Sequence, residues 1–162
     1  MKSVGKVLDV DLSAGSWNVS EFPGDEVPEY LGGRGINVKF IYDNIPAGID
    51  PLGPDNILVL SCGLLTGTAA PASSRMHINA LSPLTGLLGS SNVGGDFGVQ
   101  LRTCGFQQLI IRGRASVPVY LWIDADTIEI RNAKSLWGLD TWETQDHLKQ
   151  NLGSENLKIM SI

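Results

Sequence analysis

Between Gly63 and Gly98 the chain reads GLLTGTAAPASSRMHINALSPLTGLLGSSNVGGDFG, and no other stretch limits its fold as strongly. Small residues dominate it, so it buries little apolar surface, and each glycine costs backbone entropy on folding. The usual return is close approach of the backbone to something, or a turn with positive φ. Leu65-Thr66-Gly67 and Leu84-Thr85-Gly86 repeat the same triplet, with one arginine, Arg75, between them. In Asn92-Val93-Gly94-Gly95-Asp96-Phe97-Gly98 the glycines lead into Phe97, Leu101 and Cys104, whose spacing predicts a helix over 95–104 that ends at Gly105. A glycine-rich turn feeding a helix offers free N–H groups and the positive end of a dipole, which suits an anion. The plainer alternative is a tight strand-to-helix turn with Asp96 capping the first turn.

The remaining elements follow from periodicity. Leu8, Val10 and Leu12 alternate with Asp9 and Asp11, a Ser13–Ser16 turn follows, and Trp17 and Val19 resume the alternation, which predicts a hairpin. Asp25 is positioned to cap a short helix over Val27–Leu31, with Pro28 in its first turn. Val38, Ile41, Tyr42 and Ile45 predict the buried face of a second helix stopped by Pro46. The unbroken run Ile57–Leu60 reads as a buried strand over Asn56–Ser61. Further strands are expected around Arg75–Leu81, Leu87–Ser90 and Gln107–Ile111. Val117, Val119, Leu121 and Ile123 face one way and Tyr120 and Trp122 the other. With Ile128 and Ile130 beyond the Asp124-Ala125-Asp126 turn, they make a second hairpin. Asp140 and Glu143 form a D-x-x-E helix start, Gly153 ends that helix, and Leu157–Ile162 reads as a last strand. Hairpins interleaved with three or four helices define an α+β fold with a mixed sheet, in one domain over residues 1–162. The paired Leu-Thr-Gly turns are compatible with an internal duplication.

Composition narrows the function classes. At 162 residues the chain can bury roughly 70% of its unfolded surface. With 43% apolar and 18% charged residues it reads as globular. No apolar run approaches the ~20 residues of a membrane span, and the Met1-Lys2 start leads straight into a strand without a secretory signal, so a cytoplasmic protein is expected. A net charge of −5 without a basic stripe argues against nucleic acid. Cys62 and Cys104 stand far apart without C-x-x-C spacing, so this chain has no cysteine set for an iron–sulfur cluster or a structural zinc, and both read as buried free thiols. His77, in the strand-like Met76-His77-Ile78-Asn79, and His147, on a helix, each lack neighbours for a metal. No residue has the setting of a nucleophile or general base, and capping explains the acidic residues. Gly32-Gly33-Arg34-Gly35 at a helix start is a second candidate anion site, with Arg34 adding a forked donor; a helix–helix turn with a solvated arginine is the alternative.

The order of these pieces is more specific than any one of them. L-T-G-T-x-A-P, an arginine four residues after the proline, S-P-L-T-G and N-x-G-G-x-F-G together resemble the N-terminal domain of the aldehyde:ferredoxin oxidoreductase family. G-K-V-L-D-V-D-L-S-A-G near the start, Y-L-G-G-R-G, L-I-I-R-G and the Pro118-Val119-Tyr120 strand extend the resemblance over nearly the whole chain. The chain departs from the family at Leu64, where proline is common, and at Gln107, where aspartate is common.

The resemblance implies an α+β cofactor-platform domain for tungsten, or molybdenum, held on two pterin dithiolenes. Arg75 matches the arginine between a pterin and a [4Fe–4S] cluster, a bridging role that a planar permanent cation suits. Asn92 matches the residue whose backbone carbonyl holds a Mg ion bridging the pterin phosphates, since a hard cation takes oxygen ligands. Gly94 and Gly95 match the turn against pterin and phosphate. Ser73 and Ser74 fall where small residues keep the approach clear and are assigned no chemistry. The parent enzyme would oxidise an aldehyde with water to a carboxylic acid and pass two electrons through the cluster to ferredoxin. The final apolar residues 158–162 read as a strand cut short, so a piece of a longer protein is expected, with the cluster cysteines and substrate site in helical domains outside it. A chain lacking those parts is expected to have no turnover by itself and to self-associate through apolar surface, leaving a homo-oligomer open. Two alternatives stand beside this: the same domain in an aromatic acyl-CoA reductase type of relative, and a stand-alone module for a phosphorylated ligand without redox chemistry. A scaffold whose glycines only make turns is the plainest reading.

Overall fold

A computed structural model describes residues 5–125 and 127–161; Asp126, Ile162 and the Met1-Lys2 start lie outside the described residues. The elements are β1 (Lys6–Asp11), β2 (Ser16–Glu21), α1 (Val27–Tyr30), α2 (Arg34–Asn44), β3 (Ile57–Cys62) and β4 (Met76–Leu81), then β5 (Leu88–Val93), α3 (Phe97–Thr103), β6 (Phe106–Arg112), β7 (Val119–Ile123), β8 (Ile128–Asn132) and α4 (Thr141–Leu152). Six strands form one sheet in the order β2-β1-β6-β3-β4-β5, and β7-β8 form a separate hairpin. Among the described residues only the β1–β6 pair is parallel, so the sheet is mixed and the fold is α+β, as the interleaved hairpins and helices predict.

Alternation along the strands divides the core into two. Val7, Ile57, Val59 and Ile110 pack against Val27 of α1 and Ile36 and Ile41 of α2 on one face. Leu8, Val10, Leu60, Cys62, Met76 and Leu109 point to the other face, where Leu101 of α3 and Leu121, Ile123, Ile128 and Ile130 of the small hairpin cover them. A fully buried aliphatic side chain such as Leu8 or Leu60 contributes about 2 kcal/mol. The Asp140–Glu143 capping box forms as predicted, with Oδ1 of Asp140 accepting from the N–H groups of Trp142 and Glu143 at 2.8 Å, and Gly153 closes α4 in the left-handed region.

Several expectations are corrected. The buried face of α2 is Ile36, Asn37 and Ile41, while Val38 and Tyr42 face outward, with Tyr42 84% exposed. Hydrophobic periodicity fails there because a polar residue, Asn37, is turned under to bind the sheet. Glu26, not Asp25, occupies the N-cap of α1, and no side chain caps it. Asp96 sits at the N-cap of α3 without capping it and pairs instead with Lys158 at 3.0 Å. Lys158 lies in residues 157–161, which carry no regular secondary structure, in place of the expected last strand. Of the two thiols only Cys62 is buried; Cys104 is partly exposed. β5 is longer than expected and reaches Val93, because Met76 pairs with Val93 and His77 with Asn92.

A candidate cofactor-facing edge

Arg75, His77 and Asn92 lie on the α2 face of β4 and β5, at the end where the Gly33 and Gly94–Gly95 turns approach. Arg75 directly precedes β4, and its carbonyl is held from behind by the Gly63 N–H at 3.1 Å and the Thr66 hydroxyl at 2.8 Å. The first Leu-Thr-Gly turn thus serves Arg75 directly, since buried Thr66 fixes the backbone from which that side chain projects. Nη1 of Arg75 donates to Oδ1 of Asn92 at 2.9 Å, and Nδ2 of Asn92 lies 2.8 Å from Nε2 of His77. Arg75 and Asn92 are exposed and His77 is half-buried.

The glycines fit around this row. A Cβ on Gly94 would sit an ordinary 3.6 Å from Cζ and Nε of Arg75, so Gly94 lies beside the guanidinium with room for about one methyl between them. Gly95 has φ +88° and open space around it. On the other side, Gly33 (φ 60°, ψ −122°) is the N-cap of α2, and a Cβ there would stand 3.0 Å from Cδ2 of His77. A Cβ on Gly35 would meet the Tyr30 carbonyl oxygen at 2.1 Å, which only glycine permits. Leu31, just before this turn, is held at φ 59°, a conformation costing about 1–3 kcal/mol that concentrates at binding loops. Close packing therefore accounts for Gly33 and Gly35, and exposed Arg34 is left facing the same region. Burial first, and the Arg34 charge second, lower the His77 pKa from the ordinary histidine value.

All four residues singled out by the resemblance, Arg75, Asn92, Gly94 and Gly95, lie in one place. Asn92 lies on a strand, which aims its side chain at Arg75. His77 is the member that sequence reasoning missed. The signal available was its i+2 position from Arg75, which puts both on one face of a strand. Gln107 lies elsewhere, at a bulge where the β1–β6 register shifts, and its side chain donates to the Cys62 carbonyl. Leu64 packs against Gly32. Among the described residues no group of three or more His, Cys, Asp and Glu gathers for a metal ion. No helix among them is long and apolar enough to cross a membrane.

Fold and site define an α+β domain presenting a cationic, glycine-lined edge. Residues 7–162 match the family described as aldehyde ferredoxin oxidoreductase, N-terminal domain, and the chain belongs to that family. It is 37% identical over 158 residues to the tungsten-containing aldehyde ferredoxin oxidoreductase of Pyrococcus furiosus, covering 98% of this chain and 26% of that protein. It is 33% identical over 154 residues to the WOR-like subunit of an aliphatic sulfonate oxidoreductase from the same organism, covering 93% of this chain and 24% of the relative. Among solved structures, the active-site complex BamBC of benzoyl coenzyme A reductase with 1,5-dienoyl-CoA superposes with a TM-score of 0.92 at 36% identity, over 95% of this chain and 24% of that one. The chain thus spans about a quarter of the length of the relatives it matches.

Proposed function

We propose that this domain is the N-terminal cofactor platform of a tungsten or molybdenum bis-pterin oxidoreductase. The observation that carries this reading is the Arg75–Asn92 hydrogen bond beside the Gly94–Gly95 turn, because it sets a fixed cation next to backbone without side chains. The donor set fits the group. Exposed Arg75 offers planar forked donors for pterin and cluster, Gly94 and Gly95 let phosphate approach main-chain N–H groups, and the Asn92 carbonyl supplies a hard oxygen for Mg. When bound, the metal and its dithiolenes supply the two-electron redox chemistry. The residues of this chain bind and orient. Arg75 holds position because Asn92 and the bonds to its own carbonyl restrict it, and the glycines keep side chains out of the approach.

The reaction proposed for the whole protein is RCHO + H2O → RCOOH + 2H+ + 2e−, with the electrons leaving through a [4Fe–4S] cluster to ferredoxin. The cluster cysteines, the acid–base groups and substrate selection belong to other domains of the parent protein. A second reading, reduction of an aromatic acyl-CoA by a relative with the same platform, is favoured by the close superposition on the benzoyl coenzyme A reductase complex. Anaerobic expression of the full reading frame with metal analysis tests both. Tungsten or molybdenum with about four irons per chain is expected, and activity with aldehydes against aromatic acyl-CoA then separates the two readings. Absence of both heavy metals and iron would sink the proposal.

A further inference from the structure

The hydrogen-bond roles along the Arg75–Asn92–His77 row are fixed by chemistry at one end. Arginine only donates, so the atom of Asn92 facing Nη1 must be its carbonyl oxygen, and the amide nitrogen must face His77. Nε2 of His77 must then be the bare, accepting nitrogen, which leaves the proton on Nδ1. Nδ1 is buried and has no partner, and Oγ of fully buried Ser61 is likewise without one. Ser61 and His77 are direct partners in the β3–β4 register and so lie on the same face of the sheet, where a hydroxyl can accept Nδ1–H after rotation about χ1. His77 is held in place from two further sides. Asn37 donates to its carbonyl at 3.1 Å, and the bare Gly33 backbone makes room for its ring.

From this geometry we infer that His77, as its Nδ1–H tautomer, is a positioning residue that locks the Asn92 amide and thereby aims the Arg75 guanidinium at the proposed cofactor. The row runs from Ser61 in the core through His77 and Asn92 to Arg75 at the edge. It also ties the Gly32–Gly35 turn, through Gly33, to the Asn92–Gly95 turn. The role in cofactor alignment rests on the function proposed above, whereas the tautomer and the ordering of Arg75 belong to the ligand-free chain.

The test is side-chain nitrogen NMR on the full 162-residue chain. Nδ1 of His77 is expected in the protonated, pyrrole-type range and Nε2 in the bare, pyridine-type range, and the Arg75 guanidinium protons are expected to exchange slowly. In His77→Phe, which keeps an aromatic ring but loses the acceptor, Arg75 exchange should rise about tenfold, the effect of losing the one neutral hydrogen bond that holds the Asn92 amide. His77→Gln, whose Oε1 reaches about as far as Nε2, should restore slow exchange. A bare Nδ1, or Arg75 exchange unchanged in a folded His77→Phe variant, overturns the inference. If that variant does not fold, the wild-type tautomer and the Gln variant decide it. Metal analysis of the full reading frame reports separately on the cofactor reading, so a correct tautomer without tungsten or molybdenum would defeat that reading and leave the relay standing.

Discussion

Two amide-centred networks share one strand and differ in almost everything else. Under α2, Asn37 is fully buried, and its Nδ2 lies within hydrogen-bond distance of the Val59 and His77 carbonyls and of Oδ1 of Asn79, while its Oδ1 accepts from Gln108. Asn79 passes its own Nδ2 to the Gly89 carbonyl at 3.1 Å. A few residues away, Asn92 holds Arg75 and His77 in the open. The first network is closed on itself in a low-dielectric interior, where breaking one member strands the others. The second ends on an exposed guanidinium with donors to spare. They meet at His77, whose carbonyl belongs to the buried network and whose ring belongs to the exposed one. One strand, β4, thus gives the His77 carbonyl and the Asn79 side chain to a buried network and the His77 ring to an exposed row.

Breaking the closed network should have the largest effect. Asn37→Leu has nearly the same volume but leaves the Gln108 amide and Oδ1 of Asn79 buried without the partner they have here, each costing about 1–3 kcal/mol. We expect urea unfolding to show a loss of about 3 kcal/mol or more, a large share of the 5–15 kcal/mol typical of a domain. A loss under about 1 kcal/mol would mean that the network is not closed. On the apolar side of the sheet, burial pushes the Cys62 thiol up from 9.0 to about 11, with the Arg102 charge opposing it weakly. A raised folded pKa means stability that is complete below the unfolded value and is lost as pH rises through the folded one. About 2 kcal/mol should therefore disappear between pH 9 and 11, and Cys62→Ser should flatten that part of the stability profile.

The closed network is also the part of the molecule least legible in the sequence. Alternation gave both hairpins, and cap chemistry gave α4 from Asp140 to Gly153, because those signals are local. Asn37 sits in a helix whose apolar spacing pointed at Val38 and Tyr42, and only the position of the sheet decides which face is covered. Gln107 and Gln108 show the same difficulty, since a bulge that turns them inward depends on pairing with β1, a hundred residues earlier. The exposed site was read differently. Its glycines and lone arginine stand out against ordinary composition, but the choice of Arg75, Asn92, Gly94 and Gly95 came from the resemblance to the family, and the four are found together. His77 was missed, because its i+2 position from Arg75 gains meaning only from the residue that β5 places opposite it.

The point where the networks meet offers a sharper probe. Gly33→Ala imposes a side chain at φ 60°, ψ −122° and drives a Cβ to 3.0 Å from the His77 ring. The backbone strain alone should cost about 2 kcal/mol, and displacement of the ring should appear as a chemical-shift change at Asn92. By contrast, Gly94→Ala, with its Cβ at an ordinary 3.6 Å from Arg75 and no positive φ, should leave stability within about 0.5 kcal/mol. Equal losses at the two glycines would erase the distinction between a turn built by packing and one kept clear for a ligand.

The smallest effect on stability is expected where the effect on function should be greatest. Arg75 is exposed, and among the described residues its side chain hydrogen-bonds to an exposed amide, so Arg75→Lys should change unfolding free energy by less than about 0.5 kcal/mol. Lysine keeps the charge but replaces a planar fork with a single ammonium, so it cannot hold Asn92 and face a second acceptor in one plane. If the edge exists for a cofactor, the full reading frame carrying Arg75→Lys should purify folded but with a reduced tungsten or molybdenum content. Asn37→Leu should do the reverse, losing stability first and metal only as the fold is lost. Wild-type metal content in the lysine variant would show that Arg75 is an ordinary surface cation, and the exposed network would then have no claim to differ in purpose from the buried one.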